Sequence, residues 1–136
     1  MALNKSDLSV GQTHSSELVK DLKRTQIVMY AGASGDYNPV HSDHEFVTEM
    51  AGYPTVFAHG MLTMGMTGRL VTDFVGDGRL TKYGVRFVNQ VWPGDDLSAT
   101  LTVKEIRDDE VDLEIVTVNQ DGTPVLTGAA TARIDS

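Results

Sequence analysis

The chain has 136 residues, 40% of them hydrophobic, which suffices for one compact core and leaves no room for a second. Lys and Arg number 11 against 19 Asp and Glu, so the formal charge is −8. This balance argues against nucleic-acid binding, because phosphates are bound by clustered basic side chains. Zero cysteines exclude disulfide bridges, thiolate metal sites and cysteine nucleophiles.

The chain shows no signal for a membrane or for export. No apolar run approaches the roughly 20 residues that a membrane span needs. The N-terminal segment MALNKSDLSVGQTH lacks the basic start and apolar stretch of a secretory signal. No repeat, low-complexity tract or linker divides the chain. The sequence therefore predicts a cytoplasmic protein with a single domain over residues 1–136.

The first part of the chain predicts one strand and two short helices. Residues 16–22 (SELVKDL) are a candidate strand, and Thr25 can cap a helix that runs through Ala31. Ser42 with Glu45 three residues later matches a capping box, which predicts one or two helical turns over HEFVTEM.

Residues 60–75 predict the longest helix. Its apolar positions wind around it, which indicates a buried helix, and three glycines permit close approach of neighbouring backbone: Gly60, Gly65 and Gly68.

From about residue 80 the hydrophobic period changes to two, the period of half-buried strands. Four alternating runs follow, at Tyr83, Val85 and Phe87; Leu97, Ala99, Leu101 and Val103; Val111, Leu113 and Ile115; and Val125, Thr127 and Ala129. A strand, a buried helix and an antiparallel meander predict an α+β fold in which the sheet wraps around the helix.

Candidate catalytic residues concentrate in residues 30–43, YAGASGDYNPVHSD. Because Pro39 pushes Asn38 out of the helical conformation, Asp36 and His41 are expected on one irregular loop. Such a pair can hold one water, with His41 accepting its proton and Asp36 fixing its position or returning a proton. Asn38 could hydrogen-bond the loop or the acid. The residues alone leave open that Asp36 and Asn38 only form Asx-type turns and that His41 is a satisfied loop histidine.

A second cluster, FAHGM over residues 57–61, stands at the start of the predicted long helix. Free N–H groups at a helix N-terminus suit a carbonyl oxygen that becomes an oxyanion. Gly60 has no side chain to block that approach, so its N–H is the candidate donor. The alternative is that Gly60 only fits a crowded helix start and that His59 caps or packs.

His41 and His44, which flank Asp43 and which His59 could join, are candidate metal ligands. The HxxH pattern lacks the supporting hydrogen-bond partners that such sites have, and His44 is expected to face solvent. No metal and no cofactor are therefore predicted.

The motif GDYNPVH, followed by Asp43 and later by AHGM, resembles the hydratase motif of the MaoC-like (R)-specific enoyl-CoA hydratases. The downstream YGVRFVNQVWPGDDL resembles the family's second landmark, an Arg-Phe strand running into Pro-Gly-Asp. The resemblance extends from about Arg24 to Ile106. It implies a single hotdog fold, an antiparallel sheet wrapped around a central helix, with two subunits joining their sheets and an acyl tunnel between them.

By position, the resemblance implies that Asp36 and His41 are the catalytic pair, that Asn38 supports them with its amide, and that Gly60 donates its backbone N–H to the thioester carbonyl. Val47 stands where many members have alanine, so the acyl-chain limit is expected to differ.

The implied reaction is a hydro-lyase reaction of fatty acid metabolism. It converts trans-2-enoyl thioesters of CoA or acyl carrier protein reversibly into (R)-3-hydroxyacyl thioesters. The implied assembly is a homodimer or a heterodimer with another hotdog subunit. Two alternatives stay open, a hotdog acyl-thioesterase and a non-catalytic hotdog subunit of a heteromeric dehydratase.

Overall fold

The computed structural model describes residues 3–135, so residues 1, 2 and 136 of the predicted domain lie outside the description. The described elements are β1 (Thr13–Val19), α1 (Arg24–Ser34), α2 (His44–Glu49), α3 (Gly60–Val75), β2 (Leu80–Phe87), β3 (Leu97–Ile106), β4 (Glu110–Val118) and β5 (Pro124–Arg133). Short 3-10 turns occupy Lys5–Asp7 and Pro39–His41. The predicted long helix and the four later strands are confirmed. None of the helices over residues 3–135 is long and apolar enough to cross a membrane.

The strands form one antiparallel sheet in the order β1-β3-β4-β5-β2. β3, β4 and β5 are a meander as predicted, whereas β2 pairs with the far side of β5 and not with β3. α3 packs against the sheet and contacts β1, β2, β3 and β5. The α+β prediction of an antiparallel sheet around a central helix is confirmed.

Two groups of buried side chains lie between the helices and the sheet. The larger joins the C-terminal half of α3 to the central strands through Leu70, Val71, Val75, Leu101, Leu113 and Ile115. The smaller joins α1 and the start of α3 to the sheet through Leu22, Ile27, Leu62, Leu97 and Leu126. Each fully buried aliphatic side chain contributes roughly 1.5–3 kcal/mol to the stability of the folded state. The smaller group therefore fixes the end of α3 that carries the FAHGM cluster.

α3 is mostly buried, as predicted, and a single stripe along the helix is exposed. Its sheet-facing side chains are buried, whereas Met61, Arg69 and Asp73 are exposed. The prediction that the glycines of α3 permit close approach of neighbouring elements is confirmed in part. A Cβ at Gly68 would lie 3.2 Å from the Tyr83 ring, but one at Gly65 would meet nothing within 4 Å.

The predicted first strand and the two helix caps need correction. β1 begins three residues earlier than predicted and ends at Val19, because the chain turns at Asp21, where φ is 52°. Thr25 is not a cap: α1 begins at Arg24, and the residue before it makes no side-chain cap bond. Ser42 is not a cap either. Asp43 holds that place, since its Oδ1 accepts from Phe46 N at 3.1 Å.

The predicted buried face of β5 is right at Val125, which is buried, and wrong farther along the strand. Thr127 and Ala129 are exposed, while Ala130 and Ala132 face the core. Over residues 127–132 the side chains of β5 are all small, so hydrophobicity could reveal a strand there but not which face is buried.

Candidate active site

Asp36 and His41 come together at the C-terminal end of α1. The helix ends in a left-handed turn at Gly35, where φ is 76° and the N–H donates to Ala31 O at 2.9 Å. Glycine adopts this conformation without steric cost. The chain then runs through Asp36 to the 3-10 turn that carries His41. Asp36 Oδ2 lies 4.0 Å from His41 Nε2, so the predicted proximity of the two side chains is present.

The ring of His41 is held by a backbone carbonyl. His41 Nδ1 lies 2.7 Å from Phe57 O. A carbonyl oxygen only accepts, so Nδ1 carries the hydrogen and the lone pair of Nε2 is left free toward Asp36. Burial lowers the pKa of His41 below its usual 6.5, and the neighbouring His59 lowers it further, against the raising effects of Phe57 O and Asp36. The arrangement suits Nε2 as a proton acceptor near neutral pH.

Asp36 is held by its own loop and not by the amide of Asn38. Its side chain is 52% exposed, and its Oδ1 accepts from the backbone N–H of Asn38 at 3.2 Å. The Asn38 side chain instead accepts from Val40 N at 3.2 Å and caps the 3-10 turn. The Asx-type contacts considered as an alternative are therefore present together with the Asp36–His41 pair.

Gly60 stands where predicted, at the first position of α3. Among the described residues, no hydrogen-bond acceptor is found for its backbone N–H. The residue before it, His59, makes no side-chain cap bond. A Cβ on Gly60 would lie 3.0 Å from three carbons of the Phe87 ring, so the ring packs directly on the glycine. The sequence shows Phe87 as an alternating strand residue and as part of the Arg-Phe landmark, but its contact with Gly60 depends on the tertiary fold.

A cavity of about 250 Å³ lies beside Gly60. Phe57, Thr63, Phe87 and Val91 are among its lining residues, whereas Asp36 and His41 are not. Within this single chain, the Phe57 to Gly60 segment thus adjoins both the cavity and the acid–imidazole pair. Val47 is fully buried in α2 and does not line this cavity.

His59 is the site residue whose contacts the sequence did not predict. Its ring stacks on that of His41, with centroids 3.8 Å apart and planes inclined by 23°. Its Nε2 lies 3.1 Å from the backbone O of Asp36. A histidine in FAHGM could be noticed, but contacts to residues 18 and 23 positions earlier depend on the tertiary fold.

Asp36, His41 and His59 place ligand atoms within 4.8 Å of one another, as three ligands of one metal ion could. Two features disfavour that use. Nitrogen lone pairs lie in the ring plane, and those of two stacked rings point side by side and do not converge on one ion. His41 Nδ1 and His59 Nε2 are also engaged by carbonyl oxygens. His44, the other histidine of the HxxH pattern, is exposed in α2 and is not part of this group.

Comparisons with known protein families and with curated proteins point to the same family. Residues 5–123 match the family described as MaoC like domain. Over 71 residues, 50% of this chain, the sequence is 41% identical to 3-hydroxyacyl-thioester dehydratase Y of Mycobacterium tuberculosis, a match that covers 24% of that relative. The chain spans less than half the length of several curated relatives that it matches.

Solved structures show the same fold. The unliganded R-hydratase PhaJ1 from Pseudomonas aeruginosa superposes with a TM-score of 0.84 at 27% identity, over 99% of this chain and 88% of that one. The ChsH1-ChsH2 complex from Mycobacterium tuberculosis gives 0.81 at 22% identity, over 93% and 98%. The second likeness concerns the fold alone. The predicted hotdog fold is confirmed.

Proposed function

The chain belongs to the MaoC-like domain family, and we propose that it catalyses the reversible addition of water to trans-2-enoyl thioesters, giving (R)-3-hydroxyacyl thioesters. One observation carries the proposal: the free lone pair of His41 Nε2 faces Asp36 Oδ2 at 4.0 Å. That gap is too long for a direct hydrogen bond, but a single water oxygen can lie about 2.8 Å from both atoms. The names of the relatives, an R-hydratase and a 3-hydroxyacyl-thioester dehydratase, support the same reaction class.

In the hydration direction, His41 Nε2 takes a proton from the bridging water while the water oxygen bonds to C3 of the substrate. The C2=C3 electron pair shifts toward C2 and the thioester carbonyl, whose oxygen gains negative charge. C2 then receives a proton from the Asp36–His41 pair. The oxygen and one hydrogen of water end in the hydroxyl, and the other hydrogen ends on C2. Since one water site serves both bonds, addition takes place on one face of the double bond.

Gly60 is the proposed donor to the carbonyl oxygen. Its N–H begins a helix of 16 residues, where the partial positive charge of the helix end favours a developing oxyanion. A single oxyanion donor contributes about 100- to 1,000-fold to kcat in enzymes where it has been removed. In this scheme the Phe87 ring is a wall beside the thioester, because it covers the Cα of Gly60.

We infer that residues 1–136 act as a single hotdog unit that pairs with a second hotdog subunit, either another copy or a related chain. Large apolar side chains near the proposed site are exposed, including Tyr37 at 70% and Met61 at 56%. β2 is an edge strand of the described sheet, and an open edge favours pairing with another chain. Sedimentation of the purified chain tests the inference: a fully active monomer would contradict it.

The reaction is tested by incubating the purified chain with crotonyl-CoA and with longer trans-2-enoyl-CoA substrates. We expect loss of the enoyl absorbance, formation of the (R)-3-hydroxyacyl thioester on chiral analysis, and no release of free thiol. Free thiol without hydroxyacyl product would instead indicate a thioesterase. The Asp36→Asn variant is the matched control, because it keeps the shape of the side chain. The absence of turnover by the chain, with turnover restored by a second hotdog subunit that carries its own acid and histidine, would indicate a non-catalytic subunit.

A further inference from the structure

His59 occupies the interior of the site, between the first turn of α3 and the loop that carries Asp36 and His41. It is 2% exposed. One face of its ring stacks on His41, and Tyr30 packs at 4.9 Å in an edge arrangement with planes inclined by 62°. The ring is thus fixed by aromatic neighbours on two elements.

The same ring also reaches the acid by way of the backbone. His59 Nε2 lies 3.1 Å from Asp36 O, and because the carbonyl oxygen accepts, Nε2 must carry the hydrogen. His59 therefore touches both members of the pair through different parts of one side chain, holding the main chain of Asp36 by a hydrogen bond and the ring of His41 by stacking.

We propose that His59 is a positioning residue for the hydration reaction, which holds Asp36 and His41 at the separation that admits one water. The proposal rests on the proposed function. Asp36 needs such support because its side chain is half exposed and is otherwise held by contacts within its own short loop. A misplacement of about 1 Å can lower a rate about 100-fold.

Helix capping and core filling do not account for a histidine here. His59 precedes α3 but makes no side-chain cap bond. Its Nδ1 is buried without a partner among the described residues, which is unfavourable to folding. A phenylalanine would fill the space and keep the stack while avoiding that penalty, but it could not donate to Asp36 O. A donor to Asp36 O combined with a ring that stacks on His41 is therefore the property that requires histidine.

Two variants separate the contacts. His59→Phe keeps an aromatic ring against His41 and removes the donor, while His59→Gln keeps a nitrogen donor in the place of Nε2 and removes the ring. The same substitutions at the exposed His44 are the matched controls. We expect each folded His59 variant to lower kcat by about 10- to 100-fold with KM changed less than about threefold. The His44 variants should match the wild-type protein. Wild-type kcat in either folded His59 variant would overturn the proposal.

Further measurements are independent of turnover. The imidazole ¹⁵N spectrum of the wild-type protein should show His59 with its hydrogen on Nε2, and an Nδ1–H form would overturn the proposal. Groups that face the His41 ring are Asp36, Phe57 O and His59, and since His59 lowers the pKa of His41, His59→Phe should raise it. If the wild-type chain hydrates no enoyl thioester, the proposed function fails while these spectra still decide whether His59 orders the pair.

Discussion

The shared water predicts that Asp36 and His41 act as one unit. The structure also selects the substitutions. Asp36→Asn keeps a side-chain oxygen for the Asn38 N–H. His41→Asn places its amide nitrogen where Nδ1 lies, so the hydrogen bond to Phe57 O can persist while Nε2 is lost.

Each single variant should lower kcat/KM by at least about 100-fold, which is the low end for a positioned acid or base and equals roughly 2.7 kcal/mol of transition-state stabilisation. The two losses should not multiply. Because the water lies between both side chains, removing either one already disorders it, so the double variant should lose little more than the worse single variant.

The assay is steady-state hydration of an enoyl-CoA substrate by wild-type and variant proteins, with thermal unfolding to establish that each variant is folded. Asp36→Asn, at a half-exposed position, should change the free energy of unfolding by about 0.5 kcal/mol or less. Near-normal hydration by folded Asp36→Asn would refute the mechanism. Multiplicative losses in the double variant would refute the shared water while leaving both residues catalytic.

Four other outcomes follow from the geometry. Gly60→Ala should lower kcat/KM at least about tenfold, since its methyl would meet Phe87 at 3.0 Å. The free energy of unfolding should change by less than about 2 kcal/mol, because helix propensity improves as packing worsens. Steady-state kinetics and urea unfolding check the two expectations. The acid limb of the pH profile of kcat/KM should have an apparent pKa below 6.5, because burial lowers the pKa of His41 and only the neutral ring accepts a proton. An apparent pKa above 6.5 for that limb would contradict this expectation. Thr67→Val should lower the free energy of unfolding by about 1–3 kcal/mol, because it leaves the buried Thr117 hydroxyl unpaired. Urea unfolding should show that the Thr67→Val/Thr117→Val double variant recovers much of that loss. Extended dialysis against a chelator should leave hydration unchanged, since the stacked histidines do not converge on an ion; loss of activity that added metal restores would refute this.

Much of the fold could be predicted because side-chain periodicity reports burial. The helix over residues 60–75 matched its predicted bounds, and β3 and β4 showed their buried faces through Leu101, Val103, Leu113 and Ile115. β5 failed this test beyond Val125, because its core-facing Ala130 and Ala132 are scarcely more apolar than Ala129 and Thr131. The order of the strands was also beyond reach, since pairing of β2 with β5 joins segments about 45 residues apart and leaves no local pattern.

The site was predictable where side-chain chemistry and local backbone constraints coincided. Asn38-Pro39 fixes an irregular loop, and the functional groups of Asp36 and His41 can be read from residue type. The remaining contacts use backbone atoms, which every residue has and which a sequence does not distinguish. Phe57 O assigns the hydrogen to Nδ1 of His41, and the first N–H of α3 is aimed by the helix start.

The backbone contacts also narrow the assignment of proton roles that the sequence leaves open between Asp36 and His41. With Nδ1 committed to Phe57 O, a proton taken by His41 must enter and leave at Nε2, on the side of the bridging water. Asp36 presents Oδ1 to the Asn38 N–H and leaves Oδ2 toward the same water. An acceptor already bonded to an N–H is a weaker base than a free oxygen, so Oδ2 is the oxygen available to orient the water. The geometry therefore favours His41 as the first proton acceptor and Asp36 as the group that directs the attacking oxygen toward C3.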